Sequence, residues 1–332
     1  MNIVYIFRPK GKAFSIERVF EPIIKAMVEE GHDVRIEYAK PGGNLLMTLW
    51  KNIWYFRKIS KHCLCHITGD VQYVACLMKP SNTLLTIHDL VPLRNKNVPW
   101  YSKWLCYWLW YYIPLKRLKR VTCISEATRK DILSFFPWAE EKIFVVNNPV
   151  DPSFCYIPKE FGNECPIILH IGTKTNKNLA RVIQALSGLK CHLRIIGKIQ
   201  PAEIKTLKDY NIQYSNEEYV TDEQILSEYQ KCDIVSFPST FEGFGMPIIE
   251  AQATGRVVVT SDRDPMRTVA GEAAILVDPE DVSSIRKGFV KATSELETRK
   301  IIVKKGIANA QRYSVSAVSS AYVEQYRYLA VE

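Results

Sequence analysis

Short apolar runs alternate with amphipathic stretches along this sequence, and the alternation occurs in two separate series. The first series opens with an apolar run over 2–7 and apolar residues at helical spacing over 16–30. The second has an apolar run over 167–171 and helical spacing over 179–189. Between them, residues 147–158 contain three prolines and predict an interdomain linker. Strand–helix–strand repeats build parallel sheets, so the 332 residues predict two doubly wound α/β domains.

Domain boundaries and further elements follow from the same patterns. We expect a first Rossmann-like domain over 1–155, a second over 156–312, and a C-terminal helix over 313–332 that packs back on the first. Two such domains would face each other across a cleft at the carboxyl ends of their strands. Further strands are predicted over 34–36, 65–67, 83–87, 121–124, 193–196, 233–237 and 257–260, with helices over 126–135, from near Pro247 and over 315–329.

The positive charge of the chain is confined to its first half. Lys and Arg give the whole chain a net charge of +9, and residues 1–150 alone carry a net +10, against −1 for residues 151–332. This asymmetry indicates that the two halves have different partners. The composition, 47% hydrophobic and 24% charged, excludes a disordered chain.

An aromatic and basic segment lies in the positively charged half. Residues 100–112 contain four Trp and four Tyr, and four basic residues follow within 116–120. This composition suits contact with an anionic membrane surface, and it equally suits the alternative, an amphipathic core helix with a basic end. No apolar run reaches the roughly 20 residues that a spanning helix needs.

The nine cysteines bear on the compartment. They show no zinc-type spacing and no signal peptide precedes them, so we expect reduced thiols in a cytoplasmic protein. The aromatic segment adds peripheral attachment to the inner face of the cytoplasmic membrane as an option.

The segment over 233–279 carries the most chemistry. A predicted strand ends at Phe237, a loop with two glycines follows, and a helix begins near Pro247. Glycines let a ligand approach the backbone, and a helix start can hold a phosphate. Glu242 in the loop and Glu250 one turn into the helix are carboxylates suited to accept sugar hydroxyls. The alternative for such a pair is a helix cap and a solvated helix residue.

The stretch PSTFEGFGMPIIEAQATG, over 238–255, resembles the Glu-x7-Glu donor-site signature of retaining glycosyltransferases of family 4, which have the GT-B fold. The resemblance extends over about 80–330. Further segments similar to family motifs are TIHDL at 86–90, CISEAT at 123–128, NPVD at 148–151, HIGTKTNKNLARVIQAL at 170–186 and AGEAA at 270–274.

The resemblance implies a role for each donor-site residue. Glu242 would contact the donor sugar and Glu250 the ribose hydroxyls, while Lys177 would hold the diphosphate. Where the family has Arg, this chain has Asn176, and Lys174 is the candidate replacement for that charge. The implied donor-binding residues are Gly172, Thr173, Lys174, Lys177, Tyr219, Val220, Glu242, Gly243, Phe244, Gly245, Met246, Pro247, Ile248 and Glu250.

The resemblance also implies catalytic and acceptor-side residues. His88, Glu242 and Lys177 are the implied catalytic residues, with His88 contacting the transferred sugar or the transition state. Gly11, Lys12 and Asp89 are expected on the acceptor side. No carboxylate is an evident nucleophile, which favours front-face displacement within an ion pair.

The predicted function is therefore retaining, metal-independent transfer of a hexose from a nucleotide-diphosphate sugar, with no cofactor. The predicted acceptor is a glycan, lipid-linked, in bacterial surface polysaccharide biosynthesis, and an anionic membrane surface is a further partner. Nucleic acid is not expected, because no recognition motif is evident. The alternatives are a GT-B sugar-nucleotide epimerase or phosphorylase, and a non-catalytic basic protein that binds membrane surfaces.

Overall fold

The computed structural model describes residues 1–11, 15–94 and 98–331 and divides the chain into two compact units. The first unit comprises Met1–Pro149 and Val315–Glu332, and the second comprises Val150–Ser314. All nine cysteines are free thiols. Within the described ranges, no helix combines the length and the apolar character that crossing a bilayer requires.

The first unit is built on a parallel sheet of six strands in the order β2-β1-β3-β4-β5-β6. Apolar residues on both faces of a strand are typical of a sheet that is covered on both sides. The strands are β1 (Asn2–Phe7), β2 (Asp33–Tyr38), β3 (Leu64–Ile67), β4 (Thr83–Ile87), β5 (Arg120–Cys123) and β6 (Ile143–Val145).

Six α-helices connect these strands. They are α1 (Ser15–Glu29), α2 (Leu45–Ile59), α3 (Val91–Arg94), α4 (Trp100–Cys106), α5 (Ile113–Arg117) and α6 (Glu126–Phe135). A π-helical stretch, Tyr107–Tyr112, joins α4 to α5, and short 3-10 turns span Gln72–Cys76, Pro80–Asn82 and Pro137–Lys142. Ser125 caps α6, because its hydroxyl accepts the Thr128 N–H at 3.0 Å.

The second unit repeats the parallel sheet with a different strand order, β12-β11-β10-β7-β8-β9. Its strands are β7 (Ile167–Ile171), β8 (His192–Ile196), β9 (Tyr214–Glu217), β10 (Ile234–Phe237), β11 (Val257–Ser261) and β12 (Ile275–Val277). Its helices are α7 (Leu179–Leu186), α8 (Pro201–Asp209), α9 (Asp222–Lys231), α10 (Met246–Ala253), α11 (Met266–Ala270), α12 (Val282–Ser294) and α13 (Leu296–Ala310), with 3-10 turns at Thr175–Lys177 and Gln311–Tyr313. The predicted helix over 179–189 ends early, at Leu186, because Gly188 turns the chain in the left-handed region (φ +70°).

The last helix, α14 (Val315–Val331), packs within the first unit. It faces α1 and buries Tyr322 and Tyr326 against β1, β3 and β4. The Tyr326 hydroxyl lies 2.6 Å from His66 Nδ1, and the other ring nitrogen of His66 lies 2.7 Å from the Thr86 hydroxyl. Burial, together with the nearby His88, lowers the pKa of His66 to about 3, so this histidine is neutral.

Candidate active site

Two loops meet at one edge of the second sheet, where the strand order reverses. Residues 172–178 follow β7 and residues 238–245 follow β10, and these two strands are neighbours. From β7 the sheet continues to β8 and β9 on one side, and from β10 it continues to β11 and β12 on the other. Such a switch point leaves a crevice outside the carboxyl ends of the strands, where ligands bind in sheets of this kind.

An ion pair joins the two loops. Lys177 Nζ lies 2.7 Å from Glu242 Oε1, and the two side chains expose only 20% and 15% of their surface. Asn176 Nδ2 donates to the same carboxylate oxygen at 3.1 Å and to the Phe241 carbonyl at 3.0 Å. Asn176, where the family has Arg, therefore helps to position Glu242. The sequence predicted Lys177 and Glu242 for one site but did not indicate that they pair.

Gly172 leaves space for the Lys177 side chain. Its φ is +88°, and a Cβ there would lie 3.1 Å from Lys177 Cγ, so a side chain would be strained and would press on the lysine. The Lys177 ammonium lies 4.6 Å from the centre of the Phe237 ring, at the last residue of β10. The glycine and the ring together hold the ammonium at the edge of the sheet.

Hydrogen bonds fix the loop after β7 to the loop after β10. The Thr240 N–H donates to the Asn176 carbonyl at 2.8 Å. Asn178 is buried in the left-handed conformation (φ +68°), and its amide donates to the carbonyls of Pro238 and Pro279 at 2.9 and 2.7 Å. These contacts pre-organise Lys177 and Glu242.

Glu250 lies one turn into α10, as the sequence predicts, and a residue from α9 anchors it. The Tyr229 hydroxyl donates to Glu250 Oε2 at 2.5 Å. Burial, reinforced by the Glu250 charge, raises the pKa of Tyr229 well above its ordinary value, so the phenol stays protonated and donates. Tyr229 has no signal in the sequence beyond its place in an amphipathic helix, and sequence reasoning missed it.

The start of α10 faces the same loop. Gly245 precedes the helix at φ +123°, and a Cβ there would lie 3.1 Å from Ile248 Cδ1. Pro247 within the first turn has no N–H, and the Ile248 N–H donates to the Gly245 carbonyl. The amides of Gly245 and Met246 are therefore the candidate donors to a bound anion.

The other predicted donor-site residues have differing environments. Lys174 is exposed, and Thr173 donates its hydroxyl to the Lys198 carbonyl at 2.6 Å. The Phe244 side chain is buried against Tyr313, so only its backbone is available to a ligand. Gly243 is half-buried in the loop.

The segment predicted to line the nucleotide base follows β9. Tyr219 has φ +47° and a side chain that is 95% exposed, while Val220 is half-buried. A non-glycine residue with positive φ costs about 1 kcal/mol or more and is held only where the surroundings enforce it. Contact of this segment with the base, largely through its backbone, stays a prediction.

His170 lies in β7 beneath Lys177 and was not predicted. It is buried, its Nδ1 lies 3.2 Å from the Ser236 hydroxyl, and its Nε2 has no partner among the described residues. Burial and the Lys177 charge lower the pKa of His170 to about 3. A neutral ring here adds no positive charge that would compete with Lys177.

The first unit also places predicted residues at the carboxyl edge of its sheet. His88 follows β4, and its Nε2 donates to the Thr68 carbonyl at 2.7 Å, which leaves Nδ1 as an acceptor. Gly69 (φ +137°) lies against this ring, and a Cβ there would be 2.7 Å from His88 Cδ2. Burial lowers the pKa of His88 below its ordinary value, so the neutral ring dominates at pH 7.

Asp89 and Gly11 are exposed at the same edge. Asp89 Oδ1 accepts the Val91 N–H at 3.0 Å, and Gly11 has φ +86° with open space around it. Lys12, the third predicted acceptor-side residue, lies outside the described residues.

A buried arginine that the sequence did not indicate lies beside them. Arg8 donates to both carboxylate oxygens of Glu17 (2.8 and 3.3 Å) and to Asp70 Oδ2 (2.6 Å). The Trp110 indole N–H donates to the Asp70 carbonyl at 2.9 Å. A Thr-Gly-Asp sequence directly after β3 was the available signal, since polar residues and glycine at a strand end are typical of a site.

The carboxyl end of the second unit's sheet has the chemistry to bind a phosphorylated sugar. A shielded ammonium, a helix start, a loop carboxylate (Glu242) and a helix carboxylate (Glu250) offer one set of groups for phosphate and another for hydroxyls. Within the ranges that the structure describes, no three His, Cys, Asp or Glu side chains come together as a metal site.

Two family models match the chain. The model described as "Glycosyltransferase Family 4" matches residues 16–154, and the one described as "Glycosyl transferases group 1" matches residues 158–309. Among curated proteins, the chain is 26% identical to O-antigen chain mannosyltransferase B of Escherichia coli over 241 residues, which are 65% of this chain and 62% of the relative. The chain spans less than two thirds of the length of the curated relatives that it matches.

Solved structures share the fold. A glycosyltransferase from Rickettsia africae has a TM-score of 0.77 at 18% identity, over 99% of this chain and 98% of that chain. Anabaena HepE in complex with UDP and glucose has a TM-score of 0.73 at 16% identity, over 98% of this chain and 99% of that chain. With the two six-stranded parallel sheets, these likenesses confirm the predicted GT-B fold of two Rossmann-like domains. The chain belongs to the family 4-like glycosyltransferases.

Proposed function

We propose that this protein transfers a hexose from a nucleotide-diphosphate sugar to a glycan acceptor in bacterial surface polysaccharide biosynthesis. The observation that carries this proposal is the Lys177–Glu242 pair, 2.7 Å apart, at the switch point of the second sheet. The E. coli relative is named an O-antigen chain mannosyltransferase, which supports the polymer class and a hexose. The HepE complex contains UDP and glucose, which supports a nucleotide sugar.

The positive groups of the second edge are assigned to the diphosphate. Lys177 and the amides of Gly245 and Met246 would hold the two phosphates, and Glu250 would accept the ribose hydroxyls. When the donor binds, Lys177 exchanges part of its contact with Glu242 for phosphate oxygens, which frees Glu242 for the sugar hydroxyls. These groups offset part of the diphosphate charge, and the proposed transfer uses no metal ion.

The proposed reaction retains the anomeric configuration. The bond between the anomeric carbon and the diphosphate oxygen breaks, and the acceptor oxygen attacks from the same face. The leaving phosphate oxygen takes the proton of the acceptor hydroxyl. Lys177 and the helix amides stabilise the charge that grows on the diphosphate, which is electrostatic preorganisation. His88, neutral and with Nδ1 as an acceptor, is assigned to a hydroxyl of the transferred sugar.

The first unit has exposed apolar and basic side chains that suit a membrane carrying the acceptor. Segments 38–69 and 90–125 contain twelve basic residues and no acidic residue. On α2, Leu45, Leu46, Met47 and Trp50 expose 56–72% of their surface, and Trp100, Tyr101 and Trp104 on α4 expose 61–79%. We call these seven side chains, together with the described basic residues of the two segments, the aromatic–basic surface. It suits an anionic bilayer that presents a lipid-linked acceptor at the cytoplasmic face.

A thermal-shift screen against nucleoside diphosphates and nucleotide sugars tests the donor assignment. A ligand at 100 times its Kd adds about 2.7 kcal/mol to the stability of the native state, so one nucleotide class should raise the melting temperature clearly. The hit is then incubated with and without an acceptor glycan. Product that requires the acceptor supports transfer; product without it would indicate an epimerase, and phosphate dependence a phosphorylase. No shift with any nucleotide would contradict the proposal.

A further inference from the structure

A cavity lies at the amino ends of the strands of the second sheet, opposite to the donor loops. It measures about 510 Å³ and lies beside Cys232 and Asp233, which directly precede β10, and Gly255 and Arg256, which directly precede β11. The donor loops follow the carboxyl ends of the strands, so a strand length separates this cavity from them, about 15 Å at 3.3 Å per residue. The cavity is therefore distinct from the donor site.

The walls of the cavity are apolar and partly aromatic. Tyr156 and Phe161 from the segment before β7 lie opposite Val303 and Ile307 of α13. A Cβ on Gly255 would lie 2.5 Å from Tyr156 Cδ2, so this glycine makes room for the ring. A volume of 510 Å³ is within the range that holds a small organic molecule.

Positive charge dominates the lining. Its one acidic residue, Asp233, is buried, forms an ion pair with Lys159 and accepts the N–H groups of Gly162 and Ile167. Its charge is already balanced. The lining also contains four further cationic residues: Arg256, Arg299, Lys300 and Lys304.

Two of these cations are buried and form no ion pair with a carboxylate among the described residues. Arg256 is 4% exposed and donates to backbone carbonyls, among them those of Tyr229 and Gln230. Arg299 is 7% exposed and donates to the carbonyls of Ala292 and Thr293. Carbonyl oxygens orient a guanidinium but leave its net charge in place, so both add to a positive potential in a region that is shielded from water.

Lys300 and Lys304 add positive charge where the cavity opens to solvent. They are one turn apart on α13 and both are exposed. The Lys300 ammonium contacts Glu297 on the surface, a pair of exposed side chains that contributes little. Both ammonium groups can therefore meet an anion that enters the cavity.

We propose that this cavity binds a small amphiphilic organic anion, with its apolar body between Tyr156 and α13 and its phosphate or carboxylate at Lys300 and Lys304. Helix α13 also packs on α10, where Asn309 donates to Gln252 Oε1 at 2.8 Å. The occupant would thus contact α13, which packs on α10, the helix that follows the donor loop over 238–245. A ligand in this position would act on the donor loop as an effector.

The test uses the full-length protein and 8-anilinonaphthalene-1-sulfonate, an anionic probe with an apolar ring system, in calorimetric titrations. Reversing two nearby charges with Lys300→Glu/Lys304→Glu should weaken one binding site about tenfold or more. Val303→Trp, which fills the cavity, should remove that site. Lys287→Glu/Lys291→Glu on α12 is the charge-matched control and should bind like the parent.

The neutral probe N-phenyl-1-naphthylamine separates charge from apolar contact. It should bind this site weakly and equally in the parent and in Lys300→Glu/Lys304→Glu. If the anionic probe binds the parent, the double lysine variant and the control alike, the proposal is overturned. The double lysine variant changes only exposed side chains, so this outcome does not depend on whether Val303→Trp folds.

Discussion

The two units have the same six-stranded parallel architecture but equip the carboxyl edges of their sheets differently. In the second unit, Gly172 makes room for Lys177, whose one carboxylate partner is Glu242. In the first unit, Gly69 lies against His88, and the nearby cation, Arg8, is paired with two carboxylates. A lysine with one partner can exchange it for phosphate more readily than an arginine held by two. This difference supports the proposed assignment of the diphosphate to the second unit.

The comparison also shows where bulk charge acts. The first half of the chain carries the whole positive excess, and the exposed Lys51 and Lys58 lie on α2, the helix that exposes Leu46 and Trp50. The second half has a net charge of −1 and concentrates positive groups at defined positions. Net charge therefore points to a surface partner, whereas individually placed groups point to a ligand.

The largest expected effect is on the donor edge. Glu242→Ala should lower kcat/KM for transfer by about 10² to 10³, because a preorganised polar contact to the reacting sugar is lost. Glu164→Ala, which changes an exposed glutamate of the same unit, is the control and should retain parent activity. Near-normal turnover of Glu242→Ala, with parent-like circular dichroism, would remove the donor-site assignment.

Acidification should destabilise the first unit through His66. His66 in the first unit has a folded pKa of about 3 against 6.5 unfolded, so the unfolded state binds the proton first. Stability should therefore fall as pH drops below 6.5, by about 1.4 kcal/mol per pH unit, until the folded pKa is reached.

Tryptophan fluorescence follows this loss in the first unit alone, because all seven Trp lie before residue 139. In denaturant titrations between pH 7 and 5, His66→Gln should flatten the pH dependence of the fluorescence-detected transition. His170→Gln, a change in the second unit, should leave that dependence intact. An unchanged slope in His66→Gln would contradict the neutral, buried state of this histidine.

The glycine of the donor edge gives a smaller effect. Gly172→Ala should cost about 1–2 kcal/mol of stability through its positive φ and should also weaken donor binding, because the new methyl group presses on Lys177. Gly188→Ala is the matched control: φ is +70° there, but nothing lies within 4 Å. Both variants should lose stability in denaturant titrations, and calorimetry should show weaker nucleotide binding only for Gly172→Ala. Equal nucleotide affinity in the two variants would show that Gly172 serves the fold alone.

The smallest expected effect concerns the aromatic–basic surface. Leu46→Ser/Trp50→Ser should weaken binding to vesicles of anionic lipid about tenfold in sedimentation assays, because apolar area no longer enters the interface. Tyr210→Ser, an exposed aromatic of the second unit, should bind like the parent. Binding should also fall as salt is raised from 0.1 to 1 M, because the Debye length, the range of the electrostatic attraction, falls from about 10 Å to about 3 Å. Binding to neutral vesicles alone would count against this surface.

Much of the fold could be predicted because the buried strands are apolar on both faces. The predicted runs over 2–7, 83–87 and 167–171 correspond to β1, β4 and β7. Among the edge strands, β2 was predicted over 34–36, whereas β6, β9 and β12 were missed. Strand β9 is Tyr-Ser-Asn-Glu, and none of its four residues is fully buried. Without two buried faces such a strand needs no apolar run, so composition does not reveal it.

The site was predictable as a set of residues but not as a set of contacts. Lys177 and Glu242 are 65 residues apart, and their pairing depends on β7 and β10 being neighbours, which a local pattern does not encode. Tyr229 and Asn176 orient the two glutamates through tertiary contacts alone. Motif spacing therefore identifies the loops, and the packing of the sheet determines the partners.

The most direct test of the donor-edge assignment is calorimetric titration of the nucleoside diphosphate that gives the largest thermal shift. Lys177→Ala should weaken its binding at least tenfold, about 1.4 kcal/mol, since a shielded charge-assisted contact is lost. Lys174→Ala, which removes an exposed lysine three residues away, should change the affinity less than about threefold. Equal affinity of the parent and Lys177→Ala would contradict the assignment of the diphosphate to the switch point of the second sheet.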